Sequence, residues 1–233
     1  MIYTILIHGN INERMQNYVS TQLEIAKRTS KVKGIILEIN SGGGSASASE
    51  MIYDRIQRAN RVKPVIAIVT GTAASGAYMI ACGAKMIFSI NTGIVGSVGV
   101  ISMSPDLTGV IEKIGVKMNI VSLGEKKSSM NPFESPTEES LNEQKSMLKE
   151  VYDFFIKVVR ENRHLSDEEI EEVGKSGVYT PLRARALHLI DEVDSYGVLI
   201  GKAKMVIGDQ SDPVILQRKQ PFLIKLIMNF LGR

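Results

Sequence analysis

The segment GTAASGAYM, residues 71–79, holds Ser75 in its middle, surrounded by glycine and alanine. Such a segment offers almost no side chain for packing, and it suits a sharp backbone turn that another group must approach closely. A serine held in this way could attack a carbonyl carbon. It would need a base nearby, because a serine hydroxyl is a weak nucleophile at neutral pH.

Histidine is the usual base for serine, and the chain offers His8, His164 and His188. His8 lies in the first apolar run, and the other two lie late in the chain, where no catalytic sequence surrounds them. Surface or packed positions are the simpler interpretation of all three. A G-x-S-x-G elbow is also missing, since Ala73 and Ala77 stand two residues either side of the serine. A Ser-His-Asp hydrolase is therefore not indicated.

A neutral lysine is the other base that can activate a serine. With a pKa of about 10.4, roughly one lysine in 2,500 is neutral at pH 7. Burial in an apolar site can lower that pKa by about three pH units, at a cost of about 4–5 kcal/mol. The chain contains 28 lysine and arginine residues, and composition alone does not select one of them.

A second glycine-rich segment, INSGGGSAS at residues 39–47, directly follows the apolar run KGIILEI. A glycine turn at the carboxyl end of a strand exposes backbone N–H groups that can bind a phosphate or an oxyanion. No Gly-Lys-Ser/Thr follows, so the segment is not a Walker A loop. Alone it is equally compatible with a plain tight turn. With Ser75 one strand–helix unit later, it becomes a candidate oxyanion hole.

Strands and helices must alternate to bring these segments together. Apolar runs predict strands at residues 2–8, 33–39, 65–69, 85–90, 96–102 and 117–122. Helices are predicted near residues 13–29, 47–60, 75–83, 106–114 and 137–163, with short elements after them and a capping box from Ser166 to Glu169. This alternation predicts βαβ-type crossovers and an α/β sheet.

Composition places the chain among ordinary globular proteins. It has 233 residues, 44% of them hydrophobic, and a net charge of +3, which makes no case for nucleic acid. The lone Cys82 excludes an internal disulfide and suits a reducing compartment. No apolar run reaches the roughly 20 residues that span a bilayer, and the start lacks a signal-peptide pattern. The expected location is cytoplasmic or peripheral to a membrane, with the apolar segment 221–233 as a possible contact.

The glycine-rich segments together resemble the signal peptide peptidase A family, relatives of the Clp protease in the crotonase-like superfold. The match covers about residues 2–200. Its four blocks appear in the family's order: INSGGGS (39–45), GTAASGAY (71–78), GSVGV (96–100) and GEKKSSMNPF (124–133), followed by a weaker fifth block at 177–193.

The resemblance implies a Ser-Lys catalytic dyad. It puts the nucleophile at Ser75, the general base at Lys127 and the serine that orients the base at Ser97. Lys126 stands where the family has an aromatic residue, so two adjacent lysines compete. The spacing to Pro132 favours Lys127.

The resemblance also implies an oxyanion hole made of backbone N–H groups. One donor would come from Gly76, directly after the nucleophile, and the other from Gly43 or Gly44. Gly42 replaces the family's proline in this loop, which should loosen the loop while keeping its N–H groups.

The implied fold is a ClpP/crotonase-like core of repeated β-β-α units arranged in a spiral, with a long helical excursion and a small C-terminal α/β extension. We expect one domain over residues 1–208 and a tail over 209–233. One-lobed members of the family form rings whose serine and lysine come from neighbouring protomers. We therefore expect a homo-oligomer that cleaves peptides, such as signal peptides or other apolar segments, without metal or cofactor. The family's amino-terminal anchor is not seen.

Three other interpretations remain open on the sequence. A crotonase-type acyl-CoA enzyme would share the sheet and the paired N–H groups but would use Asp or Glu for proton transfer. A non-catalytic scaffold or assembly subunit would keep the fold alone. A phage-type protease of the same family would process capsid or scaffold protein.

Overall fold

Strands and helices alternate along the whole of the described chain. The computed structural model describes residues 1–124 and 126–215. The strands are β1 (Ile2–His8), β2 (Gly34–Ser41), β3 (Val65–Ala74), β4 (Met86–Ile90), β5 (Ile94–Gly96), β6 (Val178–Tyr179), β7 (Glu192–Asp194) and β8 (Pro213–Ile215). The helices are α1 (Glu13–Arg28), α2 (Ala46–Asn60), α3 (Gly76–Cys82), α4 (Thr108–Lys113), α5 (Glu138–Arg163), α6 (Asp167–Val173), α7 (Pro181–Ala186) and α8 (Tyr196–Ile207).

A mostly parallel sheet forms the centre, which confirms the predicted α/β class. β1, β2 and β3 run parallel to one another, and only the β5–β6 pair is antiparallel among the described strands. β3 has two successive neighbours on one side: its first half pairs with β4, and its last three residues pair with β5. The carboxyl ends of β2, β3 and β5 therefore meet at one edge, where parallel sheets bind their ligands.

Both faces of the sheet are covered, so its central strands are almost continuously apolar. Ile35 and Leu37 face a large core closed by α1, α2, α3 and α5. Ile36 and Ile66 face a smaller core against α8. Burial on both faces is the physical reason why these runs form strands rather than amphipathic helices.

Two predicted strands were wrong. β5 ends at Gly96, because Gly96 and Ser97 have φ of 119° and 53°, which no strand can continue. The run at 117–122 forms no strand, and its side chains are exposed, with Val121 at 94%. Apolar alternation there is not matched by any neighbouring strand of the described chain, so the backbone does not pair.

The end of the described chain joins the sheet. β8 pairs in parallel with β1 through Ile2 and Pro213, within the segment that the sequence assigned to a tail. The predicted apolar segment 221–233 lies outside the described residues. The capping box from Ser166 to Glu169 is confirmed. Within residues 1–124 and 126–215, no helix has both the length and the apolar character needed to cross a bilayer.

Candidate active site

Ser75 lies at the sharp turn between β3 and α3. Its backbone has φ of 53° and ψ of −128°, a conformation that is costly for a residue with a side chain. The turn is held because Ser75 N–H donates to the Gly96 carbonyl at 2.9 Å. Its hydroxyl forms no capping bond to α3, so the half-buried Oγ is available for chemistry.

The glycine loop after β2 packs directly against this turn. A Cβ atom on Gly43 would lie 2.9 Å from Gly76 N and 2.9 Å from Ser75 Cβ. A Cβ atom on Gly44 would lie 2.2 Å from the Ile11 carbonyl oxygen. Both glycines also have positive φ, 99° and 152°. Only glycine therefore lets this loop approach the serine turn so closely.

Two backbone donors of these turns make no hydrogen bond within the described part of the chain. Gly43 N–H donates to Ser41 Oγ at 3.1 Å, so it is already used inside the loop. Among the hydrogen bonds of the described residues, none uses the N–H of Gly44 or of Gly76. Both glycines line the same cavity as Ser75. This arrangement offers two N–H groups beside a serine hydroxyl, as oxyanion stabilisation requires.

The cavity beside Ser75 has a volume of about 330 Å³. One side is formed by the two polar turns and the start of α2. The other side is apolar and is formed by α3, α5 and the segment after β5, through Met79, Val100, Ile101, Leu148, Val151 and Phe155. A second depression, of about 830 Å³, lies around Arg163 and Asp191. It shares no lining residue with the Ser75 cavity and contains none of the predicted site residues.

Ser97 lies beside Ser75 at the end of the adjacent strand. Ala74 of β3 pairs with Gly96 of β5, and Ser75 and Ser97 are the residues that directly follow them. Both serines have φ of 53°. Ser97 N–H donates to the Gly177 carbonyl at 2.7 Å. Its half-buried side chain does not line the cavity, although the residues shortly after it do.

Lys127 is not brought to Ser75 within one chain. It is exposed on a turn of the segment 97–137 between β5 and α5, called the excursion below, and it is absent from the cavity lining. Lys126 instead forms an ion pair with Glu143 on α5. The hydrogen bond to that carboxylate raises the pKa of Lys126, which keeps the amine charged and unsuited to accept a proton.

Comparison with known families identifies the family to which this chain belongs. The sequence profile of peptidase family S49 matches residues 57–206, a span that includes Ser75, Ser97 and Lys127. The chain belongs to peptidase family S49. The Clp protease profile matches residues 2–94 of this S49 chain, in agreement with the predicted ClpP-like fold.

Three relatives of this S49 chain carry the name of a protease or a peptidase. It is 31% identical to a putative protease of Methanocaldococcus jannaschii, over 86% of this chain and 64% of that protein. It is 31% identical to Protease 4 of Haemophilus influenzae, over 83% of this chain and 31% of that protein. A putative signal peptide peptidase SppA of Enterococcus faecium is also 31% identical, over 76% and 52%. The chain spans less than two thirds of the length of each relative.

Family membership supports a serine peptidase. His8, His164 and His188 are all exposed, and none lines the Ser75 cavity. His188 contacts the carboxylate of Glu169 on α6.

The residues that hold the glycine loop in place were not predicted from the sequence. Ile11 N–H donates to the Gly43 carbonyl at 2.9 Å, and the Ile11 carbonyl accepts from Ser45 N–H at 2.8 Å. Ser49, buried in α2, also lines the cavity. Ser49 Oγ also donates to the Ser45 carbonyl at 2.8 Å. The spacing of four residues between Ser45 and Ser49 is the one sequence signal that could have indicated this hydrogen bond.

Proposed function

We propose that this S49 chain is a serine endopeptidase that cleaves peptide bonds by acyl transfer to Ser75. The observation that carries the proposal is the meeting of the Ser75 hydroxyl with the free N–H groups of Gly44 and Gly76 at one cavity. A carbonyl carbon in reach of Ser75 Oγ would direct its oxygen toward those donors. Each such donor is typically worth about 10²–10³ in rate.

The proposed base is Lys127, acting as a neutral amine. It takes the Ser75 proton as Oγ bonds to the carbonyl carbon, and the carbonyl electrons move to the oxygen held by Gly44 and Gly76. The amine then returns the proton to the leaving nitrogen as the peptide bond breaks. Water attacks the acyl-enzyme with the same base and frees Ser75. Ser97 is proposed to orient the lysine amine through its hydroxyl.

The lysine is proposed to come from a neighbouring copy of the chain. Lys127 is exposed in the single chain, whereas a lysine base must be shielded from water to lose its proton. The excursion that carries it also exposes apolar side chains, including Val121 at 94% and Leu123 at 96%. A surface of this kind favours burial against a partner. A homo-oligomeric ring would cover these side chains and bring Lys127 to the next Ser75.

The apolar wall of the cavity supports a peptide substrate with apolar side chains. Met79, Val151 and Phe155 would contact the side chain next to the bond that is cut, and they offer it no charged partner. Signal peptides and other apolar segments fit this chemistry.

Hydrolysis of casein and of short apolar fluorogenic peptides tests the proposal, together with labelling by a fluorophosphonate serine probe. We expect wild type to hydrolyse the peptide and to carry the probe on Ser75, and Ser75→Ala to do neither. Ser47→Ala is the matched control, since Ser47 is exposed on α2. A folded wild type that neither cleaves nor labels would contradict the proposal and favour the scaffold interpretation.

A further inference from the structure

Ser49 touches both turns that supply the proposed oxyanion donors. It lies in α2, is fully buried and lines the Ser75 cavity. We infer that Ser49 is a positioning residue that fixes the distance between the N–H groups of Gly44 and Gly76. The inference rests on the proposed function and extends it to a residue outside the dyad and the glycine turns.

The first contact of Ser49 is with the glycine loop. Its Oγ donates to the Ser45 carbonyl at 2.8 Å, and its backbone N–H donates to the same oxygen at 3.0 Å. Ser45 N–H is held in turn by the Ile11 carbonyl at 2.8 Å. The peptide units on both sides of Ser45 are therefore fixed. Gly44, whose N–H is the proposed donor, is the residue directly before Ser45.

The second contact of Ser49 is with the residue after the nucleophile. A Cβ atom on Gly76 would lie 2.2 Å from Ser49 Oγ and 3.0 Å from Ser49 Cβ. The same position is 3.7 Å from Gly44 N. The serine side chain thus fills the space directly against the Gly76 backbone, at the point where the two donor turns come closest.

One side chain therefore sets the spacing of both donors. An oxyanion hole works when its N–H groups lie about 2.7–3.1 Å from the oxyanion, and they act mainly when the charge develops. Removing the Ser49 hydroxyl takes away the bond to Ser45 and leaves a gap against Gly76. Both donors can then shift by a fraction of an ångström while the apolar wall that binds the substrate stays intact.

The test compares Ser49→Ala with wild type, with Ser47→Ala as the control. Ser47 lies on the same helix, but it is exposed, and among the described residues its hydroxyl hydrogen-bonds to Ser45 Oγ alone. We expect Ser49→Ala to lower kcat about tenfold with KM within twofold of wild type, which is less than the loss of a whole donor. Inhibition by a peptide aldehyde, whose adduct with Ser75 carries an oxyanion, should weaken by the same factor. Ser47→Ala should match wild type in all three values.

Two outcomes overturn the inference while leaving the proposed function in place. An unchanged kcat and aldehyde affinity in Ser49→Ala would show that Ser49 does not position the donors. A fall in kcat accompanied by a raised KM and a lower melting temperature would show a general structural role. Ser75→Ala, assayed in parallel, separates the two claims, because activity that survives in it overturns the proposed function itself. An inactive Ser75→Ala with a normal Ser49→Ala overturns only the role of Ser49.

Discussion

Ser75 N–H donates to the Gly96 carbonyl at 2.9 Å, which ties the turn of the proposed nucleophile to the turn that carries Ser97. The bond continues the parallel pairing of β3 with β5 through Ala74 and Gly96. Ser75 and Ser97 consequently end neighbouring strands with the same φ of 53°. This relationship keeps two strained turns side by side, and the sheet rather than either turn alone supplies the rigidity.

The two adjacent lysines should differ sharply in their effect on catalysis. Lys126 is bound to Glu143 and remains charged, whereas Lys127 makes no ion pair among the described residues. We expect Lys127→Ala to lower kcat by about 10²–10⁴, the usual contribution of a general base. Lys126→Ala is the matched control and should stay within a few-fold of wild type in a fluorogenic peptide assay. The reverse order of effects would assign the base to Lys126.

The glycine loop should tolerate a side chain at one position and reject it two residues later. A Cβ atom on Gly42 meets nothing within 4 Å, while one on Gly44 would lie 2.2 Å from the Ile11 carbonyl oxygen. We expect Gly42→Ala to keep wild-type kcat. Gly44→Ala should lose about 10²–10³ in kcat, because its N–H is displaced from the oxyanion. Wild-type kcat in both variants would exclude the loop from the oxyanion hole.

Cys82 should be silent toward thiol reagents until the protein unfolds. Burial raises the pKa of the Cys82 thiol to about 12, so about one molecule in 1,000 is thiolate at pH 9. The pKa of the thiol in the folded protein lies above its ordinary value of about 8.5. Burial of the neutral thiol therefore stabilises the fold in full at pH values below about 8.5. The advantage is lost as the pH rises toward about 12. Ellman's reagent at pH 9 should label the native protein slowly and the denatured protein completely. Fast stoichiometric labelling of the native protein would contradict this burial, and Cys82→Ala gives the blank.

The exposed apolar side chains of the excursion should hold the proposed ring together. We expect Leu123→Glu to shift the protein from an oligomer to smaller species and to reduce hydrolysis along with assembly, because a charge there cannot be buried without a partner. Val62→Glu is the control, since Val62 is also exposed, at 61%, but lies between α2 and β3. Light scattering after size exclusion measures both variants. An assembly that survives Leu123→Glu unchanged would remove this side chain from the interface.

Much of the fold could be predicted from the sequence because local pattern and tertiary burial agree there. The run Val65–Val69 is apolar throughout, and the sheet buries both of its faces. The glycines around Ser75 likewise indicated a close backbone approach, and the structure shows contacts that leave no room for a side chain.

Other features depend on contacts that no local pattern encodes. β8 exists because Pro213 and its neighbours meet the open edge of β1. The run at 117–122 alternates like a strand but has no pairing partner in the described chain. The role of Ser49 depends on its distance from Gly76, which is set by how α2 packs against α3. The surroundings of Lys127 in the proposed ring would depend on a neighbouring copy, whose contacts no local pattern in the sequence encodes.

Mixing two inactive variants tests the central claim most directly. Ser75→Ala and Lys127→Ala are co-refolded in equal amounts, and peptide hydrolysis is compared with that of each variant alone. Wild type co-refolded with the double variant is the control for exchange between copies. If Ser75 and Lys127 meet across neighbouring copies, about a quarter of the sites in random mixed rings are complete, and hydrolysis returns. If mixed assemblies form and stay inactive, the nucleophile and the base do not come from different copies, and the shared Ser-Lys site is wrong.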